Sequence, residues 1–405
     1  MSQYEKPDVY IAGCRNGTAA MLWKNGVAQS LSDGRQFCVA ASVYVSGSDV
    51  YVVGWDDGTE RMCVAKLWKN GVEQNLTDGK NDAEAYSVCV ADGNVYVAGY
   101  ENGVAMLWKN GVPQSLTDGN GAFALSVYVT DNNVYVVGRG GGGAKLWKNG
   151  IVQNLTDGAS ANSVYVKEGD VYVVGYGGGS AKLWKNGIVQ NLPNGDEANS
   201  VYVEGNDVYV VGNGTSRCQG YPTSVAKLWK NGVIQNLTDD PFYHNGTSAQ
   251  SVFVLNKNVY VVGHEYHNLD KQYVKLWING VGQYVTKRYT NNERNYTEVS
   301  SVFVTFPASM SQNQILKIQE EEQKALRKAQ EALANASQQQ KQEVERKKRK
   351  VRQEQNRRIG CSGIIALAII IGVIAAFVNG LGFVGVIGIP VAIIFIWQFS
   401  LNLKD

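Results

Sequence analysis

The chain has 405 residues, with 45 Gly, only 7 Pro and a formal net charge of +2. From Ser311 onward 14 Lys and Arg stand against 8 Asp and Glu; subtracting these from the chain totals of 38 and 36 leaves 24 against 28 for residues 1–310. A mildly acidic main portion lacks the basic face that nucleic-acid binding needs, and that function class is excluded.

In chain order, the opening MSQYEKPDVY has no apolar signal stretch. The cysteines (Cys14, Cys38, Cys63, Cys89, Cys218 and Cys361) form no CxxC pair. Free thiols in a reducing cytosol are expected.

From Asp8 the sequence repeats. A VYV-G or VYI-G piece recurs with Gly13, Gly54, Gly99, Gly138, Gly175, Gly212 and Gly263. LWKNG or LWING follows, placing Trp at 23, 68, 108, 147, 184, 229 and 277, and then a VxQNL-like piece. SVYV, SVCV or SVFV begins at Ser42, Ser87, Ser126, Ser163, Ser200, Ser251 and Ser301. Each piece alternates apolar residues and closes on Gly, Asn or Asp, as a short strand does. Lys-Asn-Gly between two such runs is a hairpin signal, because a type I′ turn needs positive φ at both central residues. The unit is four strands: SVYV innermost, then DVYVVG, AKLWK and VxQNL. One unit cannot bury both faces, so the seven copies must stack around an axis. The predicted fold is all-β, a seven-bladed β-propeller over residues 1–308. The chain opens on a second strand and its last repeat piece is SVFV at 301–304, so that final strand is expected to close the N-terminal blade.

On DVYVVG, AKLWKNG and SVYV, residues 8–304 resemble bacterial β-propeller repeat proteins, in the broad company of kelch, YVTN-type and WD-type propellers. The chain lacks the Gly-His and Trp-Asp pairs of WD repeats and the Gly-Gly doublet of every kelch blade. The resemblance implies a fold and a binding habit, not an activity.

The turns joining first to second strands and the KNG turns are uniformly short and fall at one end of the ring. Second-to-third and fourth-to-first connections vary and fall at the other, which is the expected binding face. Its longest segments, 213–224, 239–250, 264–274 and 286–298, carry Tyr221, Phe242, Tyr243, His244, His264, Tyr266, His267, Tyr273, Arg288, Tyr289, Arg294 and Tyr296, with Trp55 from a neighbouring blade beside Asp56, Asp57 and Arg61. Aromatic and Arg side chains are favoured at interface hot spots. The repeated Trp residues read as packing, and the repeated Ser as ties between inner strands. His244, His264 and His267, near Glu265 and Asp270, are a weak metal candidate whose spacing compels nothing. No cofactor is expected. The glycine runs at 139–143 and 177–179 lead into strands rather than helices, unlike phosphate loops. No nucleophile–base pair is evident, so enzyme activity is not expected.

Residues 309–358 read as a charged helical stalk or coiled coil: 311–358 contain no Gly or Pro, and Ser311 with Gln314 is placed as a capping box. Residues 359–403 carry no charge, and two transmembrane segments are expected within 359–400, at about 359–378 and 383–399. The basic run KKRKVRQEQNRR at 347–358 places both termini and the propeller on the cytoplasmic side of a bacterial inner membrane. Ala368, Gly372, Ala376 and Gly380 recur every four residues, permitting helix contact and homo-oligomers. The expected function is a membrane-anchored recognition scaffold binding a protein or small ligand on the variable-loop face. The alternative is a ligand-sensing effector whose hairpins oligomerise and permeabilise the membrane; the third reading is a loop-borne lectin or hydrolase.

Overall fold

The computed structural model describes residues 6–58, 62–119, 121–218, 221–237, 246–268, 271–285, 295–307 and 310, with isolated positions between 314 and 350. Stalk and transmembrane expectations otherwise lie outside the described residues, among which no helix is long and apolar enough to cross a membrane. Met1–Gln319 forms one compact unit and Glu320–Asp405 a second.

The repeat units fold as antiparallel blades in the predicted strand order, giving a seven-bladed propeller. In blade 2, for example, the inner strand is Cys38–Ser46, followed by Asp49–Asp57, Cys63–Lys69 and the outer Val72–Asn75. Five blades are separate four-stranded sheets, and the other two share one eight-stranded sheet. Closure is as expected. The last strand, Asn295–Thr305, is the inner strand of blade 1 and pairs antiparallel with Asp8–Arg15, from Thr305 opposite Asp8 to Thr297 opposite Arg15. It also runs briefly parallel to the third strand of blade 7, with Lys271 opposite Asn295 and Gln272 opposite Tyr296. That second pairing merges the two blades into one sheet.

The core lies between blades. One cluster joins Tyr51, Val53, Ala65 and Leu67 of blade 2 to Ala83, Val88, Val97 and Trp108 of blade 3. All seven repeated indoles are 0–1 % exposed, so they are packing residues. Each buried side chain of Val or Leu size stabilises by roughly 1.5–3 kcal/mol. The glycine closing each second strand has a local cause. A bulge in the inner strand, between Ala40 and Ser42 in blade 2, pushes the Val39 carbonyl across its neighbour. A Cβ at Gly54 would lie 1.8 Å from that oxygen.

The repeated Ser residues tie the ring. The backbone N–H of Val43, Val88, Val127, Val164, Val201, Val252 and Val302 each donates to the Ser hydroxyl of the preceding blade at 3.2–3.3 Å. Inside them, Tyr128, Tyr165, Tyr202, Phe253, Phe303 and Tyr44 stand ring to ring at 4.7–4.9 Å between centroids. The buried Cys89 fills the remaining place.

Candidate functional site

The two ends of the propeller are chemically different. At the short-turn end every KNG turn has Asn at φ 50–53° followed by Gly at positive φ, the I′ geometry. Each Asn Oδ1 accepts from a second-strand N–H, as from Val50 to Asn70, at 2.8–2.9 Å in all seven blades. Its amide nitrogen donates to the Asp or Asn opening that strand, at 2.7–2.9 Å. Where that residue is Asp it also pairs with the turn Lys, at 2.7–2.8 Å for Lys24–Asp8, Lys69–Asp49, Lys185–Asp170 and Lys230–Asp207. Each of these Asn side chains is thus spent on closing its own hairpin.

The opposite end departs from the sequence reading. Segments 213–224 and 264–274 are extended hairpins rather than loops: Asp207–Cys218 pairs with Tyr221–Lys230, and Asn258–Asn268 with Lys271–Ile278. Strand pairing therefore covers side chains expected at the surface. His264 is 4 % exposed and Tyr273 likewise 4 %. Tyr273 meets Tyr284 edge-on at 6.1 Å. His264 Nε2 accepts from the Val299 N–H at 2.7 Å, so its proton is on Nδ1, 3.3 Å from the Ser248 hydroxyl. The nitrogen lone pair that a metal would need is occupied. Burial holds the imidazole pKa down at about 4, so it is neutral near pH 7. Glu265 is buried and accepts from the Tyr284 hydroxyl and the Lys275 ammonium at 2.5 Å. Tyr266 is half-buried, its ring 6.2 Å from that of His264. The backbones of Tyr221, His267 and Tyr296 lie in strands. Phe242, Tyr243, His244, Asp270, Arg288, Tyr289 and Arg294, with Arg61, lie outside the described residues.

Trp55 heads a different assembly. Its half-buried ring meets Tyr86 of blade 3 edge-on at 5.5 Å, and Tyr86 stacks on Tyr100 at 6.1 Å. Tyr100 packs on Phe123 of blade 4 at 4.7 Å, and the Arg139 guanidinium sits 4.6 Å over Phe123. This row crosses three blades at the variable-loop end.

Carboxylates flank it. Asp82 accepts from the Tyr100 hydroxyl and, at 3.0 Å, from the Cys63 N–H. Burial acts to raise the Asp82 carboxyl, but these bonds outweigh it and hold it below its usual range. Burial pushes Glu84 up, although hydrogen bonds from Tyr86 and Tyr100 oppose this. Burial, then the Asp82 and Glu84 charges, push the Cys63 thiol up to about 12, so it is no nucleophile. Asp56 is committed to Lys66 at 2.9 Å. Tyr100 is buried and Trp55, Tyr86 and Phe123 are half-buried; the part of the row left open, bordered by carboxylates and with the exposed Arg139 at its edge, is suited to a partner presenting a cationic group.

Sequence reasoning found Trp55 and missed Tyr86, Tyr100, Phe123 and Arg139. A signal was present. Trp55, Tyr100 and Arg139 each follow the repeat Gly, a position that differs from blade to blade.

No protein family matches the sequence, and no curated protein matches it. Solved structures that resemble it include a nidogen/laminin complex at 9 % identity and TM-score 0.41, covering 74 % of this chain and 99 % of that one. A puromycin-hydrolyzing peptidase of Mycobacterium tuberculosis is similar at 11 % identity and TM-score 0.35, over 64 % of this chain and 54 % of its own. An exo-1,5-alpha-L-arabinanase from a bovine ruminal metagenomic library is similar at 12 % identity and TM-score 0.29, over 49 % and 95 %.

Proposed function

We propose that the propeller is a recognition module that binds its partner at the variable-loop end, centred on the Trp55–Tyr86–Tyr100–Phe123–Arg139 row, and that residues 359–378 and 383–399 hold it at a membrane. The observation that carries this is the asymmetry of the ends: the same Asn turn, closed by the same hydrogen bonds, in every blade at one, and an unrepeated aromatic row edged by Asp82 and Glu84 at the other. The partner is a protein presenting Lys or Arg to this row. Membrane attachment is supported by the uncharged stretch 359–403, since about 20 apolar residues suffice for one span. Thr305 pairs with Asp8 at the short-turn end, so the chain leaves the ring at the end opposite the row.

The test is co-purification from detergent-solubilised membranes. Full-length chain should retain a partner that Trp55→Ala with Tyr86→Ala loses, while Lys69→Ala with Lys109→Ala keeps it. Retention by the first pair and loss by the second would reverse the assignment.

A further inference from the structure

Asn-Gly pairs recur along the chain, and the fold treats them differently. The Asn-Gly sequence is chemically fragile. A Gly backbone nitrogen has no side chain beside it to hinder attack on the preceding Asn side-chain carbonyl, which closes a small imide ring. Seven of the pairs are the KNG and ING turns, with Asn at φ 50–53° and Gly at φ 78–83°. In each, Asn Oδ1 accepts from a second-strand N–H. The Nδ2 of each donates to the Asp or Asn that opens the same strand. For Asn110 the two partners are the Val95 N–H and Asn94 Oδ1, both at 2.8 Å. An amide held at both ends must break two bonds before it can turn toward the Gly nitrogen.

Asn102–Gly103 isolates the effect of those bonds. It joins the second and third strands of blade 3, with Glu101 opposite Val104, so it too is a two-residue turn. Its φ values, 51° and 77°, nearly match those of the seven. Asn102 is exposed, and so is Asn110. Backbone shape and solvent access are therefore matched, yet among the described residues no hydrogen bond holds the Asn102 side chain. Its backbone alone is engaged, the N–H donating to the Asp82 carbonyl at 2.8 Å. The turn itself does not require Asn, since Gly141–Gly142 and Gly178–Gly179 make the same connection in blades 4 and 5.

We propose that Asn102 is a site of spontaneous deamidation, from which the seven turn Asn residues are protected. The Gly103 nitrogen, giving up its proton to water, bonds to Asn102 Cγ; the Cγ–Nδ2 bond breaks and ammonia leaves. Water then opens the imide at either carbonyl, giving an aspartate or its β-linked isomer at 102 and returning the proton to the Gly103 nitrogen. Water is the only co-reactant, and nothing is oxidised or reduced. The product adds a negative charge next to Asp82, whose carboxylate holds the Tyr100 hydroxyl. Conversion stands by itself; the consequence for a cationic partner, a more acidic edge to the row, rests on the function proposed above.

The test follows full-length protein in detergent at neutral pH by peptide mass spectrometry, with fragmentation that places each converted residue. Asn102 should convert roughly thirtyfold faster than Asn110, two hydrogen bonds at their usual net worth expressed as a rate ratio. Asn94→Ala removes the Nδ2 acceptor of Asn110 and should speed that residue about fivefold, leaving Asn102 unchanged. Asn133→Ala should do the same for Asn149, and it decides where Asn94→Ala does not fold. Asn102 converting no faster than Asn110 overturns the proposal. So does a folded variant that leaves its released Asn as slow as before. No partner enters the readout, so the result is independent of what the row binds.

Discussion

His264 accepts a hydrogen bond from the backbone N–H of Val299 at 2.7 Å, which ties the second strand of blade 7 to the strand that closes the ring. That bond exists only while Nε2 is unprotonated. Burial lowers the His264 pKa from 6.5 to about 4 in the folded protein. Between those values the unfolded chain binds the proton and the folded one does not. Stability is therefore complete above about pH 6.5, declines as pH falls toward 4, and loses on the order of 3 kcal/mol from this group. Urea unfolding of residues 1–308 at pH 7.5 and 4.5 should show this drop, and His264→Gln should flatten it while lowering stability at pH 7.5. An unchanged pH dependence in the variant would remove His264 as its source.

Ring closure rests on the ladder between Asn295–Thr305 and Asp8–Arg15. A chain ending at Ala308 should melt sharply. One ending at Val299 loses the rungs from Ser301 to Thr305 and the tie from Val43 to Ser301. It should melt broadly and at least 10 °C lower by circular dichroism, a shift of order 2–4 °C accompanying each kcal/mol lost in a domain of this size or slightly smaller. Equal melts would show that the ring holds without its last strand.

Trp184→Phe and Trp147→Phe delete the same atoms at equivalent, fully packed positions. Trp184 loses a bonded donor and leaves the Thr156 carbonyl without it, whereas Trp147 loses a donor with no partner. Trp184→Phe should cost more by about 1–2 kcal/mol in denaturant unfolding. Equal costs, or the reverse order, would contradict the assignment of hydrogen bonds.

Membrane attachment predicts that full-length protein sediments with membranes and resists carbonate extraction, while a chain ending at 308 stays in the supernatant. On the proposed topology, with the basic run 347–358 on the cytoplasmic side, protease added outside intact cells should spare the propeller. External digestion would reverse the orientation.

The ring, its closure, the Ser ties and the Asn turns were legible because each recurs with one chemistry in every blade, so seven copies vote on one local structure. The candidate site was read less well. Segment length alone reads His264, Glu265 and Tyr266 as loop residues. Their alternation, opposite Val274, Tyr273 and Gln272, already had the period of a strand. Tyr100 and Arg139 share with Trp55 the variable position after the repeat Gly, but they lie in short segments, which segment length does not single out. Their row is assembled across two blade boundaries, where Trp55 meets Tyr86 and Tyr100 meets Phe123, residues far apart in sequence. The bonded indole of Trp184 follows from the short segment 155–163, which is visible in the sequence but acquires meaning only once Gly158 is seen lying on Trp184.

The closing strand also sets how the ring answers to force. The strand Asn295–Thr305 is zipped along its length to Asp8–Arg15. A pull directed along that strand strains the rungs in shear together instead of opening them one at a time. Against such a load the seam lies where hydrogen-bonded strands resist sliding best.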